Sequence, residues 1–250
     1  MRESISNRSL ERGLALLRAF RPGSATLTTS DLAERTALPI ATVSRLLATL
    51  VRTGFLTYDF GARAYSLGMP LLSLGHSYAE GSALLAVAVP LMSELAHSQR
   101  VNVGLAGEDM GDVVYLQSVR GNRGGALRRI LPGARAPLEL TAIGRAWLSA
   151  VPAVQREAAL KPIEQRYGRK WAPVRAQIHD SFAEIERSGY CTSRWQTGSV
   201  GIARPLRAFK GSVHGVNITF LESTRSPEFL QEQGVRLIKL VEQIEVRCKA

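Results

Sequence analysis

Apolar residues near the start of the chain recur in helical stretches separated by turn signals. Leu10, Leu14 and Leu17 stand at i, i+4 and i+7, the spacing that puts three apolar groups on one face of a helix, and Pro22-Gly23 ends the pattern. A second helix is predicted to open at a capping box. There the Thr28 hydroxyl takes a free backbone N–H, and the Asp31 carboxylate reaches back to the cap. Leu27 and Leu32 occupy the two positions of a hydrophobic staple. After Leu38-Pro39 a third helix is expected from about Ile40 to Thr53, stopped by Gly54 and carrying Val43, Leu46, Leu47 and Leu50 on its buried side. Phe55 to Tyr58, a turn over residues 59–62, and Tyr65-Ser66-Leu67 read as a short hairpin. Three short helices followed by a hairpin make a winged helix-turn-helix, assigned to residues 1–68.

Met69 to Glu80 is again helical in pattern, with Leu71, Leu72 and Leu74 apolar, while Gly75 and Gly81 lower its intrinsic stability. Residues 69–82 are read as a linker helix. Beyond it Leu84, Ala88, Leu91 and Leu95 form a helix stripe, followed by alternating strands at Val101-Val103-Leu105 and around Val113 to Val119. Later strands are expected near Ile202 to Leu206 and Val213 to Phe220, with a terminal helix opened by Ser226-Pro227. An antiparallel sheet with flanking helices results, so residues 83–250 form a second domain and the fold class is α+β. In the strand at 213–220, alternation puts Val216, Ile218 and Phe220 on one side and Gly215, Asn217 and Thr219 on the other. Small polar groups on an enclosed strand need a partner: a side chain, a water or a ligand.

The face of the third helix opposite its buried side presents Ala41, Arg45, Ala48 and Arg52, with Thr42, Ser44 and Thr49 at its margins. Such a surface suits a major groove, because alanines let the backbone approach, hydroxyls meet phosphates or base edges, and arginine can bond guanine bidentately. A solvated helix face would look the same in isolation; the hairpin directly behind it favours the groove. Arg63 at the hairpin tip is placed to reach a phosphate or the minor groove, and Thr28 and Thr29 at the start of the second helix complete the candidate contacts.

The 250 residues are 45% hydrophobic and 21% charged, an ordinary globular composition. The net charge of +11 is unevenly spread: residues 1–82 hold 9 basic and 6 acidic side chains (+3), residues 83–250 hold 23 and 15 (+8). Charge alone therefore does not locate a nucleic-acid surface, and 27 arginines against 5 lysines equally suit a bias of genome composition. Between Asp112 and Glu139 there is no carboxylate, yet Arg120, Arg123, Arg128, Arg129 and Arg135 all occur. That stretch is expected to be locally positive and to suit an anionic ligand, a solvated basic loop being the alternative. Cys191 and Cys248 match no metal or redox spacing, and His76, His97, His179 and His214 do not cluster in sequence. No metal, cofactor or catalytic residue is expected. The longest apolar run, Ala83 to Met92, falls short of the ~20 residues of a membrane span, and the polar N-terminus lacks a signal peptide. A cytoplasmic location is the expectation.

SLERGLALLRAF, TTSDLAERTALPIATVSRLLATLVRTGFL, the wing and YSLG resemble the IclR family of transcription regulators. GDVVYLQSV, APLELTAIGRAWLSAVP and SGYCTSRWQTGSVGIARPL continue the likeness in the same order to the end of the chain. Ile40 stands where the family commonly has a lysine, Ala64 where a basic residue often precedes the wing tyrosine, and Ser193, Arg194 and Trp195 where carboxylates are common. The resemblance is greater to the branch that regulates aromatic-acid catabolism.

The resemblance implies a GAF-like effector-binding and oligomerisation domain, and a linker helix that helps pair two DNA-binding domains on a palindromic operator. It implies a homodimer or dimer of dimers, and an effector that is a small carboxylic acid, with aromatic acids among the candidates. Carried over residue by residue, the pocket includes Arg128, Ala142, Ile143, Ser193, Gly201, Asn217 and Thr219, with Leu127 and Trp195 inferred as apolar walls. The other readings are a ligand-independent DNA-binding protein and an enzyme domain fused to a winged helix.

Overall fold

The computed structural model describes residues 7–21, 23–121, 130–207, 211–222 and 226–249. The chain divides into two compact units, Met1–Gly81 and Ser82–Ala250.

In the first unit the helices α1 (Arg8–Arg18), α2 (Thr29–Thr36) and α3 (Ile40–Arg52) precede a hairpin of β1 (Leu56–Asp59) and β2 (Ala64–Leu67) and a helix α4 (Pro70–Glu80). The capping box forms as the sequence predicts: Thr28 Oγ1 accepts from the Asp31 amide at 3.2 Å, while Asp31 Oδ2 accepts from the Thr28 amide at 2.8 Å. The Thr28 amide first, and then the Thr28 hydroxyl donating to Asp31 Oδ2 at 2.7 Å, hold the Asp31 carboxyl below its ordinary value. The hairpin pairs Tyr58 with Tyr65, and Leu27 bridges to the other edge of Tyr65, so the wing is stitched to the segment preceding α2. Leu16, Leu27, Leu32, Val43, Leu47 and Leu56 form the buried core.

Of the expected stripe of α1 only Leu17 packs against the core. Leu10 and Leu14 are 61% and 50% exposed, whereas Leu16, roughly 120° round the helix from Leu10, is fully buried. Helix α1 packs on α2 and α3 through Leu16, Leu17 and Phe20 near its C-terminal end, and its N-terminal leucines project past that contact.

The second unit runs α5 (Ala83–Gln99), β3 (Asn102–Asp109), β4 (Asp112–Arg120), β5 (Arg135–Pro137), α6 (Ala142–Ala150), α7 (Ala153–Tyr167), α8 (Trp171–Ser188), β6 (Cys191–Ser193), β7 (Ser199–Arg207), β8 (Val213–Leu221) and α9 (Pro227–Lys249). Its strands form one antiparallel sheet in the order β5-β4-β3-β8-β7-β6. Val103, Leu105, Val216, Ile218 and Phe220 pack with α5 and α9 on one face. Ala106, Tyr115, Cys191 and Ala203 pack with α6, α7 and α8 on the other. The short strands β5 and β6, absent from the sequence reading, edge the sheet. Three residues are too few to display an alternation. No single helix among the described residues is long and apolar enough to cross a membrane.

Helix α6 lies close against the sheet because β8 offers no side chain beneath it. A Cβ at Gly215 would stand 2.5 Å from Ile143 Cγ1 and 2.7 Å from the Ile143 carbonyl oxygen. Gly215→Ala is therefore expected to force α6 outward and cost about 1 to 3 kcal/mol in chemical denaturation; an unchanged midpoint would show that α6 yields freely. Thr28→Ala is expected to cost about 1 kcal/mol through the lost cap. The part of the cap owed to Asp31 is present near neutral pH and is lost as pH falls through its lowered carboxyl value. Urea titrations at neutral pH and at about pH 3 compare the two, and Thr28→Ala should matter less in acid.

Candidate nucleic-acid interface and ligand cavity

Helix α3 is pinned by Val43 and Leu47, both fully buried. This orientation leaves Ala41, Ser44, Arg45, Ala48, Thr49 and Arg52 exposed, with Thr42 half-buried at the margin. The face is the one that the helical period marks out. Ser44 Oγ donates to the Ile40 carbonyl at 3.0 Å and Thr49 Oγ1 to the Arg45 carbonyl at 3.3 Å. With those protons engaged, each hydroxyl keeps only its acceptor lone pairs for any outside partner. Arg45, Arg52 and Arg63 make no ion pair within the described residues.

Arg63 is exposed with a left-handed backbone (φ 50°) at the end of a turn that Asp59 organises, its Oδ1 accepting from the amides of Gly61 at 2.8 Å and Ala62 at 3.0 Å. Thr29 is half-buried in the first turn of α2. Thr28 is engaged in the cap, its hydroxyl donating to Asp31 Oδ2 at 2.7 Å. It positions α2 rather than offering a free donor.

In the second unit the candidate lining residues divide between two spaces. Asn217 and Thr219 lie on the α6-facing side of β8 and line a cavity of about 20 Å³ together with Asn102, Gly104, Tyr115, Ser118, Ile130 and Gln196. Asn217 Nδ2 donates to Thr219 Oγ1 at 2.9 Å. Gly104 is required there, since any side chain would overlap Asn217 Oδ1 and the Tyr115 ring. Burial pushes the Tyr115 phenol up to about 12, so it is neutral at ordinary pH. Next to this cavity lies a cleft of about 670 Å³ that shares Asn102, Ser118 and Ile130 with it and adds Val119, Leu131 and Pro132.

Ser193 and Trp195 line a different space, an open groove of about 600 Å³ between α6, α8 and β6. Ser193 Oγ donates to the Leu140 carbonyl at 2.6 Å, which ties β6 to the entry of α6. Trp195 is 43% exposed and walls this groove rather than the cavity of Asn217. Arg145 forms part of the groove lining. Its guanidinium donates to the Glu139 carbonyl at 2.8 Å, Gln177 Oε1 at 2.9 Å and Ser181 Oγ at 3.3 Å, and burial lowers its pKa. Cys191, also buried, has its thiol pushed up to about 12 by desolvation and is no nucleophile.

Gly201 sits between the two spaces, where a Cβ would stand 3.8 Å from Thr219 Oγ1 and 3.9 Å from the Ala142 Cβ. Ala142 and Ile143 are buried in the first turn of α6, which Thr141 caps through its hydroxyl. Leu127 and Arg128 lie outside the described residues, as do Arg123 and Arg129. Arg135 does not contribute the positive potential expected of it. It bonds Asp109 at 2.9 Å and Asp112 at 3.0 Å, because antiparallel pairing of β4 with β5 brings the carboxylates of the β3–β4 turn back across to it.

Sequence reading missed Asn102, Gly104, Tyr115 and Ser118. The signal lay in β3, where Asn102 and Gly104 alternate with Val101, Val103 and Leu105 as Asn217 and Thr219 alternate with Val216, Ile218 and Phe220.

Residues 9–59 match the IclR helix-turn-helix domain, and residues 76–246 match the bacterial transcriptional regulator IclR C-terminal domain. The HTH-type transcriptional regulator TsaQ1/TsaQ2 of Comamonas testosteroni is 34% identical over 194 residues, covering 76% of this chain and 68% of that one. The Pca regulon regulatory protein of Pseudomonas putida is 29% identical over 218 residues, covering 82% and 71%. Among solved structures, an IclR family transcriptional regulator from Brucella abortus matches with a TM-score of 0.89 at 33% identity, covering 98% of this chain and 94% of that one. An IclR homologue from Microbacterium hydrocarbonoxydans, complexed with 4-hydroxybenzoate, shares the fold with a TM-score of 0.71 at 23% identity, covering 96% and 99%. An N-terminal winged helix-turn-helix, a C-terminal domain built on an antiparallel sheet and these matches along the chain together establish that it belongs to the IclR family of bacterial transcriptional regulators.

Proposed function

We propose that this regulator binds a palindromic operator as a homodimer or dimer of dimers, placing the α3 helices in successive major grooves, and that a small carboxylic acid bound in residues 83–250 alters their placement. The observation that carries the proposal is the exposed, small and cationic face of α3 opposite the fully buried Val43 and Leu47. Half-sites about one helical turn apart, ~34 Å, or a multiple of it suit paired winged helices. The effector acts by binding one arrangement of the pair better than the other. An aromatic acid is favoured because the chain most resembles the aromatic-acid branch of its family and because a protein of the same fold holds 4-hydroxybenzoate. A regulator of this kind works in the cytoplasm, where its operator lies, and signals by binding without turning its ligand over.

Pairing through the first unit is supported by apolar side chains left in solvent. Leu10 and Leu14 on α1 and Leu72, Leu74 and Tyr78 on α4 are all exposed, and a second copy would cover such a surface. Residues 69–82 would then serve as the pairing linker.

Operator selected from random duplexes by the purified protein provides the assay. Arg45→Ala is expected to lower its affinity by about 1 to 3 kcal/mol and to relax preference at one base pair; equal affinity in a fluorescence-anisotropy titration would remove Arg45 from base reading. Arg63→Ala is expected to weaken all sequences alike and to reduce the slope of log affinity against log salt by about 1. A double Leu72→Glu, Leu74→Glu variant should sediment as a smaller species or bind half-sites only. Wild-type sedimentation together with wild-type operator binding would rule out pairing through α4.

A further inference from the structure

Among the described residues, three buried carboxamide oxygens of the second unit have no hydrogen-bond partner, and two of them, Asn102 Oδ1 and Asn217 Oδ1, line one cavity. Their residues are 9% and 6% exposed. Pairing of β3 with β8 sets Asn102 opposite Thr219 and Gly104 opposite Asn217, so the two asparagines are diagonal neighbours on one face of the sheet. Gly104, lacking a side chain, lets Asn217 Oδ1 and the Tyr115 ring settle directly over the strand beside Asn102. The cavity of about 20 Å³ is large enough for one oxygen atom of water size.

Both orphaned atoms are acceptors, although the hydroxyls of Tyr115 and Ser118 also line the cavity. The Asn217 amide is already engaged, donating to Thr219 Oγ1 at 2.9 Å and hydrogen-bonded with Tyr115. Buried acceptors call for a donor. No carboxylate or cation lines the cavity among the described residues, and two carbonyl-type oxygens repel an anion. The adjoining cleft, which shares Asn102, Ser118 and Ile130, supplies the apolar surfaces of Ile130, Leu131 and Pro132 for a flat body.

We propose that Asn102 and Asn217 form a hydroxyl subsite: the effector enters with a donating hydroxyl, as on a phenol ring, against the two carboxamide oxygens, and holds its charged end away from them. The assignment rests on the effector reading above and extends it by giving the ligand an orientation and a required group. A site built to hydrogen-bond a hydroxyl rejects the analogue that lacks it, because its polar groups are then buried unpaired.

The test is calorimetric titration of the full-length protein with 4-hydroxybenzoate and with benzoate. The hydroxylated acid should bind at least tenfold tighter. Asn102→Leu, close in size and without the orphaned acceptor, should erase that preference while leaving the melting temperature at or above wild type. A purely structural asparagine would instead lower it. Asn217→Ala should also erase the preference, and either variant suffices if the other fails to fold. Equal binding of the two acids, a preference that survives in either folded variant, or no binding of 4-hydroxybenzoate would overturn the subsite. The effector reading itself is judged separately: if a broad set of small acids includes any compound that raises the melting temperature and shifts operator affinity, that reading stands even where the subsite has failed.

Discussion

The central strands β3 and β8 are covered on both faces, and most of the second unit is arranged around the consequence. A strand shows alternate residues to opposite sides, so a pair buried on both sides must satisfy two environments with one sequence. Val103, Leu105, Val216 and Ile218 meet the first demand against α5 and α9. On the other side a fully apolar strand would have closed the space under α6. Asn102, Gly104, Asn217 and Thr219 keep a small polar opening there instead, and Gly215 lets the first turn of α6 settle beside it.

That opening carries a stability cost, since buried acceptors without donors are worth roughly 1 to 3 kcal/mol each in lost solvation. Such a cost is tolerable in a domain with two substantial apolar clusters. It also gives a binding partner something to relieve. A ligand that satisfies the orphaned groups stabilises the state in which they are arranged, which is the thermodynamic requirement for a sensor.

The first unit solves a different problem. A recognition helix must present polar groups without twisting on its axis, and α3 is held by residues one turn apart, Val43 and Leu47, while the wing is tied to Leu27 and through it to the capped start of α2. Small residues at Ala41 and Ala48 leave room for close approach, and the hydroxyls of Ser44 and Thr49 are oriented by their own helix backbone. The leucines of α1 and α4 that remain in solvent are the surface proposed above to meet a second copy.

Features with a short repeat were readable from the chain itself. The cap at Thr28, the buried and exposed faces of α3, the wing and the alternation in β8 each depend on residues within a few positions of one another, where helical or strand periodicity settles which side is which. Features that depend on partners distant in sequence were not. Whether Leu10 or Leu16 is buried depends on where α1 meets α3. Arg135 is neutralised because a hairpin returns Asp109 and Asp112 to it, and Trp195 faces a groove rather than the cavity because β6 lies at the sheet's far edge. The second half of the polar floor, Asn102 with Gly104, joined the first only through the register of β3 on β8. Local period sets the side a residue faces; only the packed chain sets what it finds there.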